Sequence, residues 1–326
     1  MSAFAVCRSL AARSRELRIV EIRCIHQARS ALSESALWSP QEKKLYWLDQ
    51  IRPEIHRLDP VTGEDVEFPL DLPAQLGALV PYAGGSLVLV AADGITILSP
   101  DMKSRRRLVN PIADQPRVSF NDAKCDRQGR LWAGTTDRFE TEKMGCLYRI
   151  DHDAEATLIA DGFVCSNGPS FSPDGRTMYH TCSHERRINA YDLDPATGSV
   201  SNRRVFATFE GSAGVPDGST VDAEGYLWST HWDGWRITRY APNGSIDREI
   251  ELPVKSVTSC TFGGPNMDIL FVTTASIEFD NGRWTFMDSA GFDAAPMAGG
   301  IFAIDVGVKG LPEPAFGRRT CYWPLL

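Results

Sequence analysis

The chain is predicted to fold as an all-β, six-bladed β-propeller with a metal site in its central channel. Three observations predict it: a phrase that recurs six times, strand-and-hairpin patterning within each copy, and a polar side chain at one phase of four copies. The copies read KKLYWLDQ…IHRLDPVTGE, GGSLVLVAADGITILSP, QGRLWAGTTD…GCLYRIDHDAE, DGRTMYHTCSHERRINAYDLDPATGS, EGYLWSTHWDGWRITRYAPNGS and MDILFVTTAS…GGIFAIDVG. Their strand starts at Leu45, Leu87, Leu131, Met178, Leu227 and Leu270 repeat at roughly 40 to 50 residues, the range of propeller blades. Within each copy, β-branched and aromatic residues alternate over short runs bounded by DG, NG, TG or PDG, which is hairpin chemistry and not a 3.6-residue period. Helical solenoids of similar period are thereby excluded. A lone four-stranded blade cannot bury both its faces, so radial packing around a channel is the arrangement that lets such repeats fold.

Taken in order, residues 1–18 precede the first copy and are expected as an N-terminal extension without fixed structure, ahead of a propeller over 19–326. Arg8, Arg13, Arg15 and Arg18 stand there against Glu16 alone, a composition that also suits an organellar leader. A tail with little to pack against is preferred. Residues 19–27 (IVEIRCIHQ) read as a single strand, placed to complete the last blade and close the ring. At 326 residues the length alone suggests two domains, but propellers run large as single units. Apolar residues at 43% and charged residues at 23% allow a substantial core, and a net charge of −8 opposes a nucleic-acid partner. No apolar run approaches the roughly 18 to 20 residues that span a bilayer, so no membrane partner is expected. Eight scattered cysteines without a CxxC pair read as free, mostly buried thiols of a cytoplasmic protein, a monomer or small homo-oligomer.

The candidate site follows from repeat phase. Glu34, Asn121, Asn167 and Asp217 each stand ten or eleven residues ahead of their strand start, in SESALW, FNDAKC, SNGPSF and PDGSTV. Equivalent places in a radial fold point at one axis, so four blades would present two carboxylates and two amides to one point. The matching stretches of the second and sixth copies, around Leu76 and Ser259, offer no carboxylate and no Lys or Arg. Buried carboxylates without a counter-charge are costly, and one divalent cation is the compensation that follows. Oxygen donors suit Ca²⁺, Mg²⁺ or Mn²⁺, and Zn²⁺ also accepts carboxylates. Asn and Asp before Gly are ordinary turn residues taken singly. Glu34 is neither a favoured turn former nor followed by Gly.

The same residues carry a resemblance to the regucalcin/gluconolactonase family of sugar lactonases. Its G-E-[GS]-P-x-W phrase followed by LYW-[VI]-D stands here as SESALW and LYWLD. FNDAKCDRQGRLWAGT at 120–135 matches another long motif almost entire, and SNG, PDG-x-x-x-D-x-E-G-x-L-W, TSCTFGG and GGIF follow in order. The resemblance implies that Glu34, Asn167 and Asp217 bind the metal, that Asn121 touches substrate, and that the reaction opens an aldonolactone, such as a glucono-, arabino- or xylonolactone, to its aldonic acid. A cation on the lactone carbonyl would stabilise the tetrahedral oxyanion, and Asp217 would take the proton of the attacking water. A carboxylate bound to a dication is a weak base, so a water activated by the cation, with Asp217 orienting it, is the other route. Many members carry Arg two residues before the Asn, where it contacts substrate hydroxyls. Here Ser119 takes that place, and Arg117 lies on the same strand face as a remote substitute in substrate binding.

His231, at the end of the fifth copy's strand, is a possible channel-lining residue, but a packed, hydrogen-bonded role in an aromatic setting is preferred. His180 and His184 read as hairpin residues, and Trp38, Trp47, Trp132 and Trp228 as core. No GxSxG, HExxH or P-loop phrase occurs. Two other functions compete with a sugar lactonase. One is a phosphotriesterase or aryl-ester hydrolase on the same propeller, and the other is a non-catalytic calcium-binding or interaction propeller. Substrate profiling separates the first, and the four-donor cluster argues against the second.

Overall fold

Six antiparallel sheets stand around one axis, and each sheet is a blade of the propeller expected from the repeats. The computed structural model describes residues 6–13, 16–72, 75–280 and 283–317. Residues 1–5 of the expected extension, and the end of the expected propeller domain after 317, lie outside the described residues.

The innermost strands are Ser33–Ser39, Leu76–Pro81, Val118–Cys125, Ser166–Phe171, Val215–Val221 and Val257–Gly263. Each contacts the next around the ring and the sixth contacts the first, which closes the circle. Second strands begin at Lys44, Leu87, Leu131, Thr177, Leu227 and Ile269, within one residue of the starts read from the repeat. Hydrophobic alternation set these positions because one strand face must enter the inter-blade core.

The last blade is completed by the other end of the chain. Glu16–His26 pairs antiparallel with Ile301–Asp305, which in turn pairs with Ile269–Thr274. Val6–Arg13 then pairs along Glu16–His26 as a fifth, outer strand, so this part of the stretch expected as a tail is a strand instead. Between the second and third strands of this blade the chain inserts a hairpin, Ile277–Asp280 with Arg283–Phe286, and a short helix, Ser289–Ala294, capped by Asp288.

Fully buried tryptophans fill the layers between blades: Trp47, Trp132 and Trp228 have no exposed surface. Two of them share a device that repeats with the sequence. The indole N–H of Trp132 donates to Asp126 at 3.1 Å and that of Trp228 to Asp222 at 2.9 Å, each carboxylate six residues ahead of its tryptophan. Arg130 pairs with Asp126 and Arg239 with Asp222, so these buried charges are compensated. Trp47 stands two residues after its strand start, where Trp132 and Trp228 stand one after theirs, so it lies outside this device, and its Nε1 has no hydrogen-bond partner. Cys24, Cys125, Cys165, Cys182 and Cys260 are buried free thiols and Cys146 is partly exposed.

Candidate active site

Each innermost strand carries a register shift at its channel-facing position. The shifts fall between Glu34 and Leu37, Leu76 and Ala78, Phe120 and Ala123, Asn167 and Ser170, Pro216 and Ser219, and Val257 and Cys260. A bulge breaks the strict in-and-out alternation of a strand and re-aims the side chains beside it. Here the repeated bulge turns Glu34, Asn121, Asn167 and Asp217 into one cavity of about 230 Å³, which all four line.

Local bonds hold this backbone. Ser35 adopts a left-handed conformation, φ 55°, and its N–H donates to Glu34 Oε2 at 3.1 Å. Its hydroxyl accepts from Leu79 N of the second blade at 2.7 Å, which pins the bulge next to Glu34. Close approach of neighbouring inner strands needs residues without a side chain: a Cβ on Gly77 would stand 2.6 Å from Asn121 O, and one on Gly218 2.7 Å from Thr258 O. The Asn167 amide donates to Ser183 Oγ at 2.8 Å and approaches Cys165 Sγ at 3.7 Å, which leaves Oδ1 as the end turned toward Asn121. Asn121 Nδ2 donates to that oxygen and, at 3.2 Å, to Ser166 O.

The electrostatics are those of confined acids. Burial, followed by repulsion from Asp217 and Asp122, pushes the Glu34 carboxyl well above its ordinary range. Burial, then Asp122 and Glu140, does the same to Asp217. Asp122, also buried, is pushed up to about 6 by burial, while Lys124 and the N–H of Gly168, 3.1 Å away, pull the other way. Lys124 itself is occupied by Glu313 at 3.0 Å and Ser219 O at 2.8 Å. Among the described residues, neither Glu34 nor Asp217 makes an ion pair.

Three expected residues lie off the cavity. The Arg117 guanidinium is fastened to Asp137 by two bonds of 2.7 and 2.9 Å and to Thr141 at 2.6 Å, so it is not free to serve substrate. Ser119 is fully buried and its hydroxyl donates to Phe120 O at 3.3 Å, which removes it from the substrate side as well. His231 is buried, with Nδ1 on Ala213 O at 2.7 Å and its ring 4.8 Å from Phe209, and burial pushes it down to about 4. The next residue along the strand, Trp232, lines the cavity instead, as alternation requires.

The wall contains residues that the repeat did not single out. Trp232 meets Trp284 of the inserted hairpin edge-on, ring centroids 6.0 Å apart, and Leu32 and Val215 extend the apolar side. Glu140 and His184, 2.7 Å apart, also line the cavity, as do Gln50 and Gln75. His184 was expected as a hairpin residue only. Gln50, Gln75, Glu140 and His184 stand on connections between strands and Trp284 on the inserted hairpin, and no repeat phase marks them. Among the described residues, the cavity wall has no Lys or Arg; Glu34, Glu140, Asp217 and Asp233 are acidic.

The SMP-30/Gluconolactonase/LRE-like region matches residues 32–276. The chain is 33% identical over 297 residues to a pentonolactonase of Haloferax volcanii, covering 91% of this chain and 96% of that protein. It is 33% identical over 300 residues to a 6-deoxy-6-sulfogluconolactonase of Pseudomonas putida, covering 90% and 98%. Among solved structures, a calcium-binding regucalcin of Agrobacterium tumefaciens superposes with a TM-score of 0.82 at 26% identity, covering 90% of this chain and 96% of that one.

Proposed function

The chain belongs to the SMP-30/gluconolactonase/LRE-like family, and from that premise we propose that this lactone-hydrolysing enzyme opens an uncharged aldonolactone with one divalent cation held by Glu34, Asn167 and Asp217. The observation that carries the reading is the convergence of oxygen donors from four bulged strands on one cavity, two of them buried carboxylates without an ion pair among the described residues. That donor set fits a hard divalent cation: Ca²⁺, which the calcium-binding regucalcin favours, Mg²⁺ or Mn²⁺, with Zn²⁺ also tolerated. When bound, the cation supplies Lewis-acid polarisation of the lactone carbonyl.

The remaining chemistry belongs to the chain. Asp217 takes a proton from the water that attacks the carbonyl carbon. As the carbonyl–ring-oxygen bond breaks, Asp217 returns that proton to the departing oxygen, and an aldonic acid results. Asn121 contacts the sugar, and Trp232 and Trp284 shelter one side of it from solvent. A cavity of about 230 Å³ falls below the roughly 300 to 1,000 Å³ of pockets for drug-sized ligands, which suits a single sugar ring. Carboxylates on the wall, with no basic residue there among those described, disfavour a sugar bearing phosphate or sulfonate.

A panel of pentono- and hexonolactones assayed with Ca²⁺, Mg²⁺, Mn²⁺ and Zn²⁺ tests the reading. Neutral lactones should turn over, and Asp217→Asn should lower kcat/KM by at least about 100-fold with unchanged circular dichroism. Turnover of phosphotriesters without any lactone hydrolysis, or no turnover with any of the four ions, would refute it.

A further inference from the structure

A second group of metal donors sits on the outer strands of the first blade, beside the strand that closes the ring. Antiparallel register sets Trp47 opposite His56 and His56 opposite Glu67, so the three share one face of the blade, and Asp65, two residues before Glu67, shares it too. The His56 ring stacks on Trp47 with centroids 4.7 Å apart. His56 Nδ1 stands 2.8 Å from Asp65 Oδ2, and His26 Nε2, from the last residue of Glu16–His26, stands 3.3 Å from the same oxygen.

Hydrogen bonding alone leaves this group incomplete. His56 is 5% exposed and the Asp65 side chain 9%, yet neither His56 Nε2 nor Asp65 Oδ1 makes a hydrogen bond, and the carboxylate of Glu54 stands 3.7 Å from that Nε2. One donor atom each from His56, Asp65 and Glu67 lies within 4.8 Å of the others. Coordination bonds of about 2.0 to 2.2 Å set tetrahedral donors roughly 3.4 Å apart, so the widest pair would close by up to about 1.4 Å, a movement that exposed Glu67 can supply by swinging in. Imidazole among carboxylates selects zinc-class ions over Ca²⁺ or Mg²⁺. We propose that His56, Asp65 and Glu67 bind a transition-metal ion of the zinc class, with His26 holding the Asp65 carboxylate from the closing strand. Such an ion fastens the outer strands of the first blade to the strand that completes the sixth, and so stabilises ring closure by linkage.

Zinc titration of the full chain after chelator treatment tests this, on a Glu34→Gln/Asp217→Asn background that removes the carboxylates of the channel. One equivalent of Zn²⁺ should still bind and raise the Tm, and Co²⁺ in its place should show the visible absorption of a nitrogen-containing site. Glu67→Gln, at an exposed position, should weaken Zn²⁺ binding at least tenfold without moving the metal-free Tm, and His56→Gln should abolish it. If the background variant does not fold, the native chain should bind two equivalents and its His56→Gln variant one. No zinc bound by the folded background variant, or equal affinity with and without Glu67, overturns the proposal.

Discussion

Arg117 illustrates how a side chain is claimed by its neighbours. Its guanidinium forms a bidentate pair with Asp137, a buried carboxylate that also accepts from the N–H groups of Phe139, Thr141 and Glu142. The pairing, with Arg117 as the leading cause, holds the Asp137 carboxyl well below the usual range. Strand parity marked Arg117 as a substitute for the family arginine, but parity says nothing of a carboxylate twenty residues on. Removing the guanidinium by Arg117→Ala should lower stability, because Asp137 stays buried with only its N–H donors and the Thr141 hydroxyl, and should leave KM for a neutral lactone within about twofold. The sign of the pH dependence follows from a depressed folded pKa. The contribution is full above the unfolded value of about 3.9 and is lost as pH falls below it. Thermal melts should therefore show a Tm gap between native protein and variant that is wide at pH 7 and narrows below about pH 4. A gap that widens in acid contradicts the pairing.

At the scale of the strand, the site is a product of six bulges in register. The positions of Glu34, Asn121, Asn167 and Asp217 were legible because they share a phase with the hydrophobic repeat. The bulges that aim them were not, because they depend on Ser35 reaching Leu79 N and on Gly77 and Gly218 lying against neighbouring backbone. Of the two readings of His231, the packed one holds and channel lining does not: Trp232 lines the cavity, and a hydrogen bond to Ala213 O fixes the imidazole elsewhere. Trp284, Glu140 and His184 stand on connections whose course no local pattern dictates. The prediction at this scale concerns Gly218, whose conformation would admit other residues but whose surroundings would not. Gly218→Ala forces a methyl against Thr258 O, so the innermost strand of the fifth blade must shift. The variant should lose about 1 to 3 kcal/mol of stability and, through displacement of Asp217, at least about tenfold in kcat. Denaturant unfolding and initial rates check both, and native-like values for both would contradict the packing.

At the scale of the whole molecule, no single blade owns the site. Glu34, Asn121, Asn167 and Asp217 come from the first, third, fourth and fifth blades, and the inserted hairpin of the sixth supplies Trp284. Their meeting depends on a ring that Glu16–His26 closes across the ends of the chain. The closing strand was legible as an unpaired β-pattern ahead of the first repeat, whereas the added pairing of Val6–Arg13 was not, since a basic, weakly patterned stretch gives no sign of a partner. Opposed carboxylates in the channel raise the energy of the empty site, so cation binding, folding and catalysis should be linked. The most direct measurement of that claim is the rate of ring opening of a neutral aldonolactone by chelator-stripped protein, before and after one equivalent of divalent cation. The account predicts a rate near the spontaneous background before addition and full activity after it. Full activity in the metal-free protein would contradict it.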